Sequence, residues 1–277
     1  KARVLFVSQD ITPYLDETYV GKIARRLPQG IQERGKEIRT FMPKYGCINE
    51  RRHQLHEVIR LSGMNLVIND VDHPLIIKVA SIPTARMQVY FIDNEEYFGR
   101  KAILTDKTSG KYFDDNDERA MFFVRGVAET VKKLGWQPDI IHCHGWFTSL
   151  MPLYIKKYYQ DDPLFAETKI VISLYEDEFP KNLNKKFVDK LSFDGFTKKD
   201  VKHITEDANH FNMIKQAIEF SDGVIQGTEK MNPEIEKFIK KTAKPFLGFK
   251  NELEYMDAFN DFYDEILEEA IGRASCR

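Results

Sequence analysis

Two imidazoles separated by a thiol are the most chemically suggestive residues of this 277-residue chain. In "PDIIHCHGWFTS", His142 and His144 alternate with Cys143, and on a strand that alternation puts both rings on one face and the thiol on the other. Two imidazoles on one face can begin a metal site. Zinc asks for three or four ligands, and neither a C-x-x-C nor an H-x-x-x-H pattern accompanies them, so no metal is assigned. Cys143 has no base on its own face and is not assigned as a nucleophile. The competing reading is structural: strand-end histidines hydrogen-bonded to neighbouring loops, beside a buried cysteine.

The second place for chemistry is the loop "SQDITPYLDETYVG" after the first strand, which in a parallel sheet lies at the carboxyl edge where ligands sit. A phosphate-binding loop would carry glycines or a lysine there. This one carries Asp16, Glu17, Thr18 and Tyr19. No G-x-S-x-G, Walker or G-x-G-x-x-G pattern occurs, which removes the commonest hydrolase, phosphate-loop and dinucleotide readings. Acid-rich runs such as "DDND" and "YEDEF" read as caps and solvated faces.

These residues need a scaffold, and strands alternate with helices along most of the chain. "RVLFVS" (3–8) reads as a strand, and the apolar stripe Ile23, Leu27, Ile31 reads as a helix stopped by Gly35 and kinked or begun at Pro28. A second strand is predicted over 37–45, and period-two stretches between 55 and 104 predict inserted β-hairpins. A helix capped by Asp117 closes on Gly135. The strand "PDIIHCH", a helix over 146–159 and the strand 169–175 come next. Residues 211–241 then give helix, strand and a helix capped by Asn232 with Pro233 at its first position. The lysine-rich segment 181–206 reads as an exposed insertion. The pattern predicts an α/β fold, a doubly wound parallel sheet covered on both faces. The expected organisation is one Rossmann-like domain over 1–249, a closing helix over 250–271 with Met256, Phe259, Tyr263 and Ile266 on one face, and a polar tail over 272–277.

A formal charge of -2, from 41 basic and 43 acidic residues, gives no field that draws nucleic acid or a membrane. The odd, scattered set Cys47, Cys143 and Cys276 suits a reducing compartment. No apolar run approaches the roughly 20 residues of a membrane helix. The expectation is a soluble, cytoplasmic, untargeted chain without a cofactor.

Taken together, "RVLFVSQDITPYLDETYVGKIARRLPQG", "DNDERAMFFVRGVAETVKKLGWQPDIIHCHGWFTS" and "NMIKQAIEFSDGVIQGTEKMNPEI" resemble the N-terminal half of bacterial glycogen and starch synthases. Those are two-domain GT-B glycosyltransferases that extend an α-1,4-glucan from ADP-glucose or UDP-glucose. The resemblance implies substrate-binding roles at the matching positions. The family loop Pro-x-x-Lys-Thr-Gly-Gly-Leu-Gly falls on Pro13 to Gly21, placing Asp16 at the lysine and Thr18 and Tyr19 at the glycines. The family's His-x-His-Asp-Trp-His-Thr falls on His142, His144, Gly145 and Trp146 through Thr148, with Gly145 at the aspartate and Phe147 at the third histidine. Tyr175 stands where the family has a histidine near the donor glucose, while Asn212 and Lys215 are kept.

Replacing a cation by an anion beside a diphosphate turns attraction into repulsion. No catalytic residue is therefore assigned. The expectation is a glycosyltransferase-like domain of glucan metabolism, catalytically degenerate on its own, that binds an α-glucan or regulates a full-length synthase. The alternative is an active ADP-glucose-dependent half completed by another chain, which would supply the second, C-terminal domain.

Overall fold

The computed structural model describes residues 1–276. The chain opens with β1 (Arg3–Ser8), α1 (Tyr19–Glu33) and β2 (Glu37–Pro43), followed by the short strand β3 (His56–Glu57). Two hairpins come next, β4 (Asn65–Ile68) with β5 (Val71–Pro74) and β6 (Ile76–Ile82) with β7 (Met87–Asp93). After the short α2 (Glu95–Phe98) and long α3 (Asn116–Leu134) come β8 (Ile140–His144), α4 (Met151–Leu153) and β9 (Lys169–Leu174). The remainder is α5 (Phe187–Ser192), α6 (His210–Phe220), β10 (Gly223–Gln226), α7 (Pro233–Thr242), β11 (Phe246–Leu247) and α8 (Tyr255–Ser275).

One nine-stranded sheet runs β11-β10-β9-β8-β1-β2-β7-β6-β3. It is parallel from β11 to β7, and only β6 and β3 add antiparallel pairs at one edge. The doubly wound α/β expectation holds, with that antiparallel edge supplied by the hairpin region. β1 lies at the centre as a continuous apolar run, as a strand buried on both faces should.

Alternation along the strands sorts the core into two layers. Leu5, Val7, Ile141 and Cys143 point into the larger layer with α3. Val4, Phe6, Ile140 and Val171 point into the smaller one, beneath Ile23, Leu27 and Ile31 of α1 and Phe259, Phe262, Tyr263 and Ile266 of α8. α8 is tied to the α1–β2 corner by Arg34 Nε to Asp257 Oδ1 (2.8 Å) and Lys36 Nζ to Asp264 Oδ1 (2.9 Å).

Several local expectations change. α1 starts at Tyr19 with Thr18 as its cap and runs through Pro28, so it does not begin at the proline. The cap position of α3 is Asp115; Asp117 lies inside the helix, fully buried, with Lys190 Nζ 2.9 Å from its carboxylate. The single helix expected over 146–159 is a 3₁₀ turn, α4 and a π turn, broken where Pro152 has no N–H to donate. Segment 181–206 is not an exposed insertion: Phe187, Leu191, Phe196, Val201 and Ile204 are all core residues. Gly135 does close α3, in the left-handed region at φ 63, and Asn232 does cap α7.

Candidate functional site

Strand order reverses between β1 and β8, which have β2 and β9 as their outer neighbours. The crevice beyond the carboxyl ends of these two strands is the topological switch point, where open α/β sheets bind ligands. Its walls are the β1–α1 loop and the turn after β8.

His142 and His144 face α8, and Cys143 faces the opposite layer, as strand alternation requires. The two rings lie 4.0 Å apart and both residues are fully buried. His142 Nδ1 meets Tyr263 Oη at 2.5 Å and Nε2 meets Ser173 Oγ at 2.6 Å; His144 Nδ1 meets Tyr175 Oη at 2.7 Å. Their partners are thus on strand β9, at its end and on α8, rather than in loops. Burial holds His142 well below the usual imidazole range, with His144 adding to the effect, and pushes His144 down to about 3. Both rings are neutral at pH 7, when one ring nitrogen donates and the other accepts. His144 Nε2 has no partner among the described residues.

Above this column the lip of the crevice is acidic and internally bonded. Thr18 Oγ1 donates to Asp10 Oδ2 (2.5 Å) and accepts the Gly21 N–H (2.9 Å), which consumes one free amide at the start of α1. Asp10 is almost fully buried, and burial raises its carboxyl, with the nearby Asp16 charge adding to the rise against its hydrogen bonds. Asp16 and Glu17 are exposed beside it. Tyr19, 43% exposed, reaches across the mouth to Tyr175, with ring centroids 6.1 Å apart.

Gly145 sits at φ 94, and a Cβ there would fall 2.2 Å from Gln9 Cδ. Gln9 thus fills the space over the turn, and its Oε1 accepts the Phe147 N–H at 3.2 Å. The Trp146 N–H is taken by Asp177 Oδ2 at 2.6 Å, while Asp177 Oδ1 bonds His210 Nε2 at 3.0 Å. The Trp146 indole is only 2% exposed, packed 4.5 Å from the Phe179 ring, and offers no face to a ligand. Phe147 is wholly inside the core.

Thr18, Tyr19, His144, Gly145, Trp146 and Tyr175 therefore converge on the crevice, with His142 one layer deeper. Asn212 lies in the first turn of α6, its side chain donating to the Asp207 carbonyl at 2.8 Å. Lys215 is placed apart, its Nζ 4.9 Å from the Phe211 ring and 5.3 Å from that of Phe238 on α7. Sequence reasoning missed Gln9, Asp10, Asp177 and His210. Gln9 and Asp10 lay inside the quoted β1–α1 loop without standing out from it, and Asp177 was one acid among several in "YEDEF".

Beside the crevice opens a cavity of about 680 Å³ between the β1–α1 loop, the loop after β2 and residues 102–112. Asp16, Asn49, Arg52, His53, Lys107 and Tyr112 give it donors, acceptors and a ring, with charges of both signs.

Residues 3–245 match the family model of the starch synthase catalytic domain. Glycogen synthase of Chlorobium limicola is 39% identical over 173 residues, covering 62% of this chain and 35% of the relative. Glycogen synthase of Chlorobaculum tepidum is 33% identical over 272 residues, covering 86% of this chain and 56% of the relative. The chain thus spans between 35% and 56% of the length of these two relatives. Among solved structures it is similar to the catalytic domain of starch synthase IV from Arabidopsis thaliana bound to ADP and acarbose, with a TM-score of 0.72, 19% identity, and coverage of 90% of this chain and 51% of that one. That likeness is one of fold.

Proposed function

The chain belongs to the starch synthase catalytic domain family, and from that premise we propose that it holds an α-glucan without itself transferring glucose from a sugar nucleotide. The observation that carries this reading is Asp177. Its carboxylate takes the Trp146 N–H at the switch point and so sets one more anion beside any incoming one. The lip repeats the sign. At a separation of about 4 Å, each unit of like charge costs about 1 kcal/mol in water and about 4 kcal/mol near a protein surface, before desolvation. A diphosphate meeting Asp16 and Glu17 faces that penalty, offset in part by Arg52 and Lys107, which line the adjoining cavity with Asp16, and by Lys22, Arg25 and Arg26 beside Glu17. The histidines cannot compensate, being neutral, buried and hydrogen-bonded.

A neutral polyol meets no such barrier. Mixed donors and acceptors with an exposed ring, as in the 680 Å³ cavity, suit hydroxyl groups and apolar sugar faces. The test is a pair of measurements on the purified chain. A malto-oligosaccharide at a hundred times its Kd should raise Tm by about 5 °C, while transfer of radiolabelled glucose from ADP-glucose to a glycogen primer should stay at background. Incorporation by the pure chain would overturn the reading in favour of an active transferase, and an unmoved Tm would remove its glucan.

A further inference from the structure

A cavity of about 630 Å³ opens at the amino edge of the sheet, opposite the crevice, between the start of β2, the turn joining β6 to β7, and Trp136 just after α3. Its walls carry Lys1, Lys36, Arg39 and Arg86 against one acid, Glu37. Two of these groups are committed within the chain, Glu37 to Arg3 Nε at 2.7 Å and Lys36 Nζ to Asp264 Oδ1 at 2.9 Å. Arg39 and Arg86 are not. Among the described residues the arginines in ion pairs are Arg3, Arg34, Arg100 and Arg125, which leaves these two without a carboxylate. The half-buried Arg39 guanidinium is set in place by two rings, Tyr90 at 5.6 Å and Trp136 at 5.5 Å, and its Nη1 donates to Tyr90 Oη. Its Nε is buried without a partner, and its Nη2, neither hydrogen-bonded nor buried among the described residues, is open to an outside acceptor. Arg86 is exposed on the β6–β7 turn.

Guanidinium groups without a carboxylate suit an oxyanion, and a half-buried donor left unmet costs free energy that an acceptor recovers. A carboxylate would bring one charge to these two cations, whereas a phosphate monoester brings about -1.5 to -2 on one head at pH 7. The space exceeds a bare phosphate and falls within the roughly 300–1,000 Å³ of small-molecule sites. Gln32, Ser81 and Gln88 add two amides and a hydroxyl to its walls. We propose that this cavity binds a small phosphate monoester, with the phosphate between Arg39 and Arg86 and the polar body against Gln32, Ser81 and Gln88. The site lies at the edge of the sheet away from the crevice and stands independently of the glucan reading.

NMR titration of the purified chain tests this, because its two tryptophans report the two edges: Trp136 lines this cavity and Trp146 the turn at the crevice. Ribose 5-phosphate should shift the Trp136 indole N–H resonance with a Kd of about 5 mM, as two water-facing charge-assisted contacts dictate, and leave that of Trp146 unmoved. Inorganic phosphate should bind about tenfold more weakly, and ribose should not shift the resonance. Arg86→Gln should weaken the ester about tenfold and Arg39→Met should abolish its effect, while Lys198→Ala, an exposed cation elsewhere, should change nothing. Each variant's Tm confirms its fold. No Trp136 shift up to about 50 mM ester, inorganic phosphate or ribose binding as tightly as the ester, or an unchanged Kd in either arginine variant overturns the proposal. None of these outcomes bears on glucan binding at the crevice.

Discussion

At the scale of single residues, the account rests on groups that are committed to one another. The buried histidine pair gives the clearest consequence. Both folded pKa values lie below the ordinary imidazole value, so the unfolded chain binds more protons in mildly acidic solution and stability falls as pH drops below about 6.5. From about pH 6.5 to about pH 5.5 the pair should cost about 2 kcal/mol, read from urea midpoints. Asp117 acts with the opposite sign, since burial pushes its carboxyl up to about 6 and its contribution is lost as pH rises through that value. The double variant His142→Gln/His144→Asn isolates the histidines: its profile should be flatter than the wild type's by that amount, and an equal slope would count against the pair. Asp177→Ala should cost about 2–3 kcal/mol, because it orphans the Trp146 N–H and the His210 ring. The alternation of His142, Cys143 and His144 made their facing directions legible in the sequence. Their partners were not, since Tyr263 lies 121 residues away on an element whose docking no local pattern encodes.

At the scale of elements, the sheet's smaller layer depends on α1 and α8 lying side by side over β1 and β8. Phe259→Ala removes a ring that is 5% exposed and should cost about 3–5 kcal/mol at unchanged m. Segment 181–206 makes a sharper case, because its lysines conceal its role. Leu191→Ala should cost about 2–5 kcal/mol, whereas Lys198→Ala on the exposed side of the same segment should stay within about 0.5 kcal/mol. Equal, small effects would mean the segment is peripheral. Most elements were legible because their apolar spacing is regular and their stops are explicit, as at Gly135 and Asn232. Here the core residues Phe187, Leu191, Phe196, Val201 and Ile204 fall at irregular spacing across a short helix and turns, so neither period applies. Asp117 misled for a related reason: an acid near a helix start reads as a cap, and only the fold brings Lys190 to it.

For the whole molecule, strand order rather than any motif defines the crevice, and the chain has filled that crevice from within. The acidic character of the β1–α1 loop, with Asp16 and Glu17, was readable in the sequence. The Asp177 bridge was not, because it joins loops that only the sheet's topology brings together. Beside the acidic lip lies a ring-bearing cavity with charges of both signs, and the proposed reading is of a synthase scaffold that keeps a glucan and does not bind the donor. Calorimetric titration of the purified chain with ADP tests this most directly. The account predicts no saturable binding up to about 1 mM, a Kd weaker than about -4 kcal/mol of binding free energy. Saturable micromolar binding of ADP, lost on substitution at the β1–α1 loop, would contradict it.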